Sequence, residues 1–394
     1  MVFRRVIDTH AEEYLKGDSY KPLFIWGPRR SGKTTLLERL SQELGVPFFD
    51  FDLQTDRELF IPRREALEQL VHTHKVILID EVQNYPGATV VLKLLQGKFK
   101  VKVIATGSSE LRQKAGEDFD TMAGRYHEAY CLPLSIQEIV DNTQIVAYEK
   151  GQFLKALQKR IQIFGAYPEV YAQETLSERE KIELLDKIVN TYVLKDVISI
   201  YDLKNEKLAR DILTKIALQL GSEVSVREIA ASLGANKDTV SNYIEIFIKN
   251  YILIPLPSFK TNIRNAVSEN RKLYFYDLGI RNALVKDFRD LELRPDKGGV
   301  FENFIIAEIE KQRKNTGAQL SLYFYREYGG QEVDIVLEDY KKRYITLELK
   351  IQDRGGVKDV FPLPHRFSIV DTTNYFDAII KAVKGENNSE ASVG

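Results

Sequence analysis

The amino-acid sequence predicts an α/β protein of several parts that opens with a parallel β-sheet. Short apolar runs alternate with helical periodicity in the first part of the chain; these runs lie at residues 20–26, 76–79 and 101–106. Strands that alternate with helices imply βαβ units and hence parallel strands. Residues 134–255 then show one helical pattern after another, and strands and helices mix again over residues 272–371.

Composition narrows the class of protein. The 394 residues are 44% hydrophobic and 29% charged, so each part can bury a core. A net charge of -1 excludes a globally basic, histone-like binder. The single cysteine, Cys131, excludes a disulfide framework and a cysteine-based zinc site. Because neither a membrane-length apolar run nor a secretory signal is found, we expect a soluble, cytoplasmic protein without a membrane partner.

The strongest motif is a glycine-rich loop between the first strand and the first helical pattern. It reads Gly27-Pro28-Arg29-Arg30-Ser31-Gly32-Lys33-Thr34-Thr35 and fits G-x-x-x-x-G-K-[ST] completely. The glycines allow backbone N–H groups to converge on phosphates, and Lys33 places a positive charge on the β- and γ-phosphates. The Thr34 hydroxyl is suited to bind Mg²⁺. These nine residues are the predicted ATP-binding loop.

A second strand delivers two adjacent carboxylates. Residues 76–79 (VILI) are followed by Asp80 and Glu81, about 45 residues after the loop. Ligands bind at the carboxyl ends of strands in open parallel sheets. Asp80 is the predicted second metal ligand beside Thr34, and Glu81 is the predicted base that polarises the attacking water.

Two further residues are candidates for the same reaction. Ser108 follows the third apolar run, where a small hydroxyl can lie between water and the γ-phosphate; Ser109 or a plain loop are the alternatives. Arg125, in the sequence Ala123-Gly124-Arg125, is a candidate arginine finger acting on a neighbouring copy of the chain, because a rigid cation stabilises charge on the transferred phosphoryl group. An ordinary solvated arginine is the alternative.

These motifs, in this order, resemble a large group of bacterial and archaeal AAA-type ATP-binding proteins with an uncharacterised C-terminal half. Further matching segments are residues 132–135 (LPLS), 165–170 (GAYPEV), 192–197 (YVLKDV), 273–279 (LYFYDLG) and 301–303 (FEN). The chain departs from the family pattern at Ala166, where a second glycine is usual. The resemblance spans nearly the whole chain and implies an AAA-type ATPase core with a helical lid. It leaves the biological role of the C-terminal half open.

Residues 205–265 predict a winged-helix-like or helix-turn-helix unit. Ser225 and Glu228 have capping-box spacing, and Gly234 ends the first helix. Asn236 is placed to cap a second helix whose outward positions are small and polar, as in helices that enter a major groove. The nearly neutral charge of this segment argues against a dedicated duplex reader, so direct DNA contact is left open.

A last group of carboxylates predicts a nuclease-like domain over residues 266–383. Glu302 lies in a helical pattern, Asp334 in one strand and Glu348-x-Lys350 in the next. The set resembles the PD-(D/E)xK nuclease core, although Val333 stands where that core has proline. The resemblance implies that Asp334 and Glu348 bind Mg²⁺, or Mn²⁺, and that Glu302 and Lys350 assist phosphodiester cleavage. A relic fold that only binds nucleic acid, and two ordinary strand surfaces, are the alternatives.

Together these observations predict an ATPase coupled to DNA processing. The expected parts are an ATPase core (1–133), a helical lid (134–204), a winged-helix-like unit (205–265), the nuclease-like domain (266–383) and a flexible tail (384–394). The expected ligands and partners are ATP, Mg²⁺ and DNA, with a homo-oligomer if Arg125 acts in trans. The competing hypothesis is a regulatory ATPase switch that binds a protein partner and carries an inactive nuclease-like fold. A helicase-like motor is disfavoured because no further helicase motif is found.

Overall fold

The structure of the protein, a computed structural model, describes residues 3–107, 124–173, 175–196, 205–260, 271–327, 330–351 and 359–385. The chain divides into two compact units. The N-terminal unit comprises Val2–Leu134 with Lys249–Tyr251, and the C-terminal unit comprises Ser135–Ile248 with Ile252–Gly394. Among the described residues, none of the helices has both the length and the apolar character needed to cross a bilayer.

The N-terminal unit is built on a five-stranded parallel sheet, which confirms the predicted core. Its strands are β1 (Leu23–Trp26), β2 (Phe48–Asp50), β3 (Val76–Asp80), β4 (Lys102–Gly107) and β5 (His127–Tyr130), in the spatial order β2-β3-β4-β1-β5. Its helices are α1 (Val6–Lys16), α2 (Lys33–Leu44), α3 (Gln54–Leu59), α4 (Arg64–Thr73) and α5 (Ala88–Leu94), the last continued by a π-helical turn at Leu95–Phe99.

Both faces of this sheet are buried. Phe24 and Trp26 of β1 belong to one apolar cluster, whereas Leu23 and Ile25 belong to another. Successive strand residues face opposite sides of a sheet, so a strand that is apolar throughout is covered on both faces, as parallel sheets require. Because β4 lies between β3 and β1, the carboxyl ends of the three motif-bearing strands are neighbours.

The C-terminal unit begins with a set of packed helices. These are α6 (Ile136–Asp141), α7 (Lys150–Phe164), α8 (Pro168–Tyr171), α9 (Glu178–Ile188) with a π-helical extension (Val189–Asp196), α10 (Glu206–Ala217), α11 (Val226–Leu233), α12 (Lys237–Lys249) and α13 (Leu278–Val285). Two antiparallel strands, β6 (Leu253–Pro257) and β7 (Arg271–Phe275), follow α12. Leu185 of α9 and Ile212 of α10 belong to one apolar cluster, so helices on both sides of the predicted boundary at 204/205 share a core.

The rest of the C-terminal unit is a four-stranded mixed sheet with two helices. Its elements are α14 (Lys297–Thr316), β8 (Leu320–Arg326), β9 (Glu332–Asp339), β10 (Tyr344–Leu349), β11 (His365–Val370) and α15 (Tyr375–Lys384). The strand order is β11-β10-β9-β8, with β10 and β11 parallel and the other pairs antiparallel. The helix predicted around Glu302 and the hairpin predicted between Asp334 and Glu348 are therefore both present.

Candidate functional sites

The glycine-rich loop between β1 and α2 depends on its glycines. A Cβ atom at Gly27 would lie 1.9 Å from the carbonyl oxygen of Cys131, so a larger residue does not fit. Gly32 has a φ of 105°, a conformation in which L side chains are strained. The two glycines of the motif are thus required by the backbone path of the loop.

Lys33 is held inside this loop. Its side chain is 4% exposed, and Nζ donates to the carbonyl oxygens of Gly27 at 3.0 Å and Pro28 at 2.8 Å. The Ser31 hydroxyl donates to the same Pro28 carbonyl at 2.8 Å. A buried ammonium requires such partners. A phosphate entering the loop would meet this charge beside the N-terminus of the 12-residue helix α2.

Asp80 lies at the centre of a network of neutral donors. Its Oδ2 accepts from the Thr34 hydroxyl at 2.6 Å, and its Oδ1 accepts from the Glu81 backbone N–H at 3.0 Å and from the Thr106 hydroxyl. Thr106 is fully buried at the end of β4. A hydroxyl and a carboxylate in contact are the hard oxygen ligands that Mg²⁺ prefers.

A further carboxylate lies next to Asp80 on the neighbouring strand. Asp50 of β2 is paired with Asp80 of β3 in the parallel register. Burial raises the pKa of Asp50, and the negative charges of Asp52 and Asp80 raise it further. The carboxyl edge of this sheet is therefore electronegative where the two strands end.

Glu81 is positioned by its backbone and by one amide. It is among the non-glycine residues with positive φ, at 48°, and conformations of this kind are often found at functional sites. The amide nitrogen of Gln83 donates to the Glu81 carboxylate. Gln83 is 7% exposed, and within the described ranges its Oε1 has no hydrogen-bond partner. A Cβ on Gly107 would lie 2.8 Å from that oxygen, so the end of β4 confines the Gln83 amide.

The other residues predicted for this site differ in exposure and in distance along the chain from the loop. Ser108 lies outside the described residues. Arg125 is exposed just before β5, and Thr35 is exposed on the first turn of α2. Arg29 and Arg30 are partly buried in the loop, where Arg30 adopts a φ of 63°.

The second candidate site is a carboxylate cluster in the C-terminal unit. We use "carboxylate cluster" for Glu302 of α14 with Glu332 and Asp334 of β9. One oxygen from each residue lies within 4.8 Å of the others. Glu332 was not predicted from the sequence, although its spacing of two from Asp334 places both on one face of a strand.

The two remaining predicted residues of this site, Glu348 and Lys350, lie close to Asp334. The carboxylate of Asp334 accepts from the backbone N–H of Leu349 at 2.7 Å, and Lys350 Nζ contacts Glu348 at 2.7 Å. Burial raises the pKa of Asp334 to about 7, and the charges of Glu302 and Glu348 add to that rise. The structure thus brings Asp334 near Glu302, Glu348 and Lys350, but Glu332 takes the place expected for Glu348 in the cluster.

A lysine that sequence patterns did not indicate enters the carboxylate cluster. Lys272 of β7 contacts Glu302 at 3.0 Å and also contacts Glu332, and its side chain is 1% exposed. Burial lowers the pKa of this ammonium, but the two carboxylate charges outweigh burial and raise it. Tyr274, two residues on, donates its hydroxyl to Glu302 at 2.5 Å. The arrangement does not fit a resident Mg²⁺ or Mn²⁺, because an ammonium already contacts two of the three carboxylates.

The helix pair of the predicted helix-turn-helix unit has a side-chain cap at the start of each helix. The Ser225 hydroxyl accepts from the Glu228 N–H at 3.3 Å, and Gly234 ends α11 in a left-handed conformation. The Asn236 side chain accepts from the Asp238 N–H at 2.7 Å at the start of α12. Asp238 and Asn242 are exposed on α12, so the outward face is polar without being basic.

A protein-family match covers the part of the chain that contains the first of these sites. Residues 19–140 match the family model of an AAA domain, and this range contains the glycine-rich loop, Asp80 and Glu81. The N-terminal unit contains an AAA domain. Residues 155–292 and 297–366 match two domains of unknown function, DUF8612 and DUF4143. The AAA domain is therefore the part of the chain whose family points to a chemistry.

Sequence similarity to another protein extends beyond the AAA domain. An uncharacterized protein of Methanocaldococcus jannaschii is 24% identical over 314 residues, which cover 71% of this chain and 65% of the relative's length. The RuvB Holliday junction branch migration motor of Thermotoga maritima overlaps 65% of this chain and 90% of its own, with 18% identity and a TM-score of 0.30. The Aeropyrum pernix ORC1 protein in complex with DNA overlaps 73% and 93%, with 16% identity and a TM-score of 0.30. Scores this low do not transfer a site or an activity.

Proposed function

We propose that the AAA domain binds ATP with Mg²⁺ at the loop between β1 and α2 and hydrolyses it there. The observation that carries the proposal is the contact of the Thr34 hydroxyl with Asp80 at 2.6 Å, beside the buried Lys33. A loop of converging N–H groups, an ammonium and a hydroxyl–carboxylate pair are what a nucleoside triphosphate with its metal requires. Thr34 and Asp80 would hold the metal, which neutralises phosphate charge when bound.

The roles of the remaining residues follow from their contacts. Lys33 exchanges its two carbonyl partners for phosphate oxygens, so that its charge is not left unpaired in either state. Glu81 accepts a proton from the attacking water, and Gln83 restrains the Glu81 carboxylate through its amide. Ser108 and Arg125 keep their proposed roles, contact with the γ-phosphate and an arginine finger acting in trans.

Substitution of Lys33 tests the nucleotide site. Lys33→Ala removes the phosphate-facing charge, and we expect loss of tight binding of a fluorescent ATP analogue while far-UV circular dichroism stays unchanged. Lys98→Ala, at an exposed lysine of the same unit, is the matched control and should bind like the wild type. Equal affinity of Lys33→Ala and the wild type would remove the assignment of this loop.

We further propose that the C-terminal unit acts on DNA. Helices α10–α12 followed by the antiparallel pair β6–β7 are compatible with a winged-helix-like unit, and α14 with β8–β11 is compatible with a nuclease-like fold. The polar outward positions of α12 support a groove contact. No cleavage step is assigned, because Lys272 contacts the carboxylate cluster.

Salt dependence tests the DNA proposal. If phosphate contacts carry the binding, the logarithm of affinity for a duplex should fall linearly with the logarithm of salt concentration, by about 0.9 per contact. Fluorescence anisotropy with a labelled duplex, with and without ATP, measures this slope. A flat response, or absence of binding, would instead favour the regulatory switch that binds a protein partner, for which the near-neutral face of α12 is the specific observation.

A further inference from the structure

The Lys272 ammonium is surrounded by carboxylates and an aromatic ring, the groups that commonly bind a cation. Its Nζ contacts the carboxylates of Glu302 and Glu332 and lies 5.2 Å from the centre of the Phe324 ring. With 1% of its side chain exposed, the ammonium exchanges water for two carboxylates and an aromatic face. Charged groups are buried at this depth when such partners compensate them.

Two neighbouring cations, Arg326 and Lys350, compensate further acidic charge around the cluster. Arg326 contacts Glu332 at 2.5 Å through its terminal nitrogen and at 2.9 Å through Nε. Lys350 contacts Glu348 at 2.7 Å. Asp334 accepts a hydrogen bond from a backbone N–H. Arg326 also contacts Glu223 at 2.5 Å. Lys272, Arg326 and Lys350 thus set three cations against the five carboxylates of Glu223, Glu302, Glu332, Asp334 and Glu348, so part of the charge that would attract a divalent ion is already compensated.

A divalent ion and this ammonium would compete for the same oxygens. The candidate ligand atoms of the cluster lie within 4.8 Å of one another, and Lys272 Nζ is 3.0 Å from the Glu302 oxygen. Two cations at such separations repel strongly where water is excluded. Lys272 is carried by β7, which pairs with β6, so the position of this strand determines whether the ammonium stays in the cluster.

We propose that Lys272 is the resident cation of the carboxylate cluster and keeps divalent metal out while β7 holds its place. The cluster is a metal site closed by its own lysine. Metal-dependent chemistry there requires withdrawal of the Lys272 ammonium. The closure rests on contacts within the C-terminal unit.

Titration of the full-length chain with Mn²⁺, without nucleotide, tests the proposal. Free Mn²⁺ is measured by electron paramagnetic resonance. We expect the wild type to bind no more Mn²⁺ than Asp334→Asn does. Lys272→Met should gain a site with an affinity about tenfold or more above that background, since the repelling charge is gone. The double variant Lys272→Met/Asp334→Asn should lose that site again.

Two controls separate charge from disruption. Lys272→Arg retains the cation and should remain closed to Mn²⁺, and Lys341→Met removes an exposed lysine from the turn between β9 and β10 and should match the wild type. A folded Lys272→Met that gains no site would overturn the proposal. So would a tight Mn²⁺ site in the wild type that Asp334→Asn removes, and this comparison holds even if Lys272→Met does not fold.

Discussion

Two acidic sites of this protein differ in what contacts their carboxylates. In the N-terminal unit, the groups on Asp80 are two hydroxyls and a backbone N–H, and the group on Glu81 is an amide. In the C-terminal unit, the groups on Glu302 and Glu332 include an ammonium and a guanidinium. Neutral donors orient a carboxylate and leave its negative charge available to a metal ion. Cationic donors neutralise that charge. The donors around acidic residues, more than the acidic residues themselves, indicate whether a metal site is open.

Each of the two sites contains a carboxyl group with a raised pKa. At the first site, burial raises the pKa of Asp50, and the negative charges of Asp52 and Asp80 raise it further. At the second site, burial raises the pKa of Asp334 to about 7, and the negative charges of Glu302 and Glu348 add to that rise. The contacts of Lys272 with Glu302 and Glu332 lower the net negative charge of the cluster.

The largest effect should come from Glu81. Glu81→Gln removes the proton acceptor but keeps the shape, so turnover of ATP should fall by about 10² to 10⁴ while binding persists through Lys33 and Thr34. Phosphate release and analogue binding measure the two properties separately. Turnover at the wild-type rate would mean that another residue is the base and would contradict the role given to Glu81 at the first site.

A smaller effect is expected at Gln83. Gln83→Ala removes the amide that restrains the Glu81 carboxylate without removing the base, and turnover should fall by about tenfold, the effect of a modest misalignment. Gln83→Glu should be worse than Gln83→Ala, because it places a second carboxylate against Glu81. An equal rate in all three proteins would mean that the contact with Gln83 does not orient Glu81.

The parts of the two sites that lie in one contiguous segment or one element were predicted from the sequence. The loop of residues 27–35 and the pair Asp80 and Glu81 are contiguous, and the helix bearing Glu302 follows from periodicity alone. Glu332 could also have been predicted, because it is two residues before Asp334 in the same strand and lies on the same face. These elements need only the rules of one helix or one strand.

Two residues that contact these sites from other strands, Thr106 and Lys272, were not predicted from the sequence. Thr106 lies 26 residues after Asp80 and meets it because β4 pairs with β3. Lys272 lies 30 residues before Glu302, next to Arg271 at the start of a short strand, where basic residues carry no pattern that indicates a partner. Such pairs depend on strand order and packing, which composition and spacing do not encode.

The central claim is that the acidic edge near Thr34 and Asp80 is open to metal and that the carboxylate cluster is closed by Lys272. Counting Mn²⁺ bound to the wild type in the presence of a non-hydrolysable ATP analogue tests it most directly. We predict one Mn²⁺ per chain, lost in Asp80→Asn and retained in Asp334→Asn. A second bound Mn²⁺ that disappears in Asp334→Asn, or a first one that survives Asp80→Asn, would contradict it.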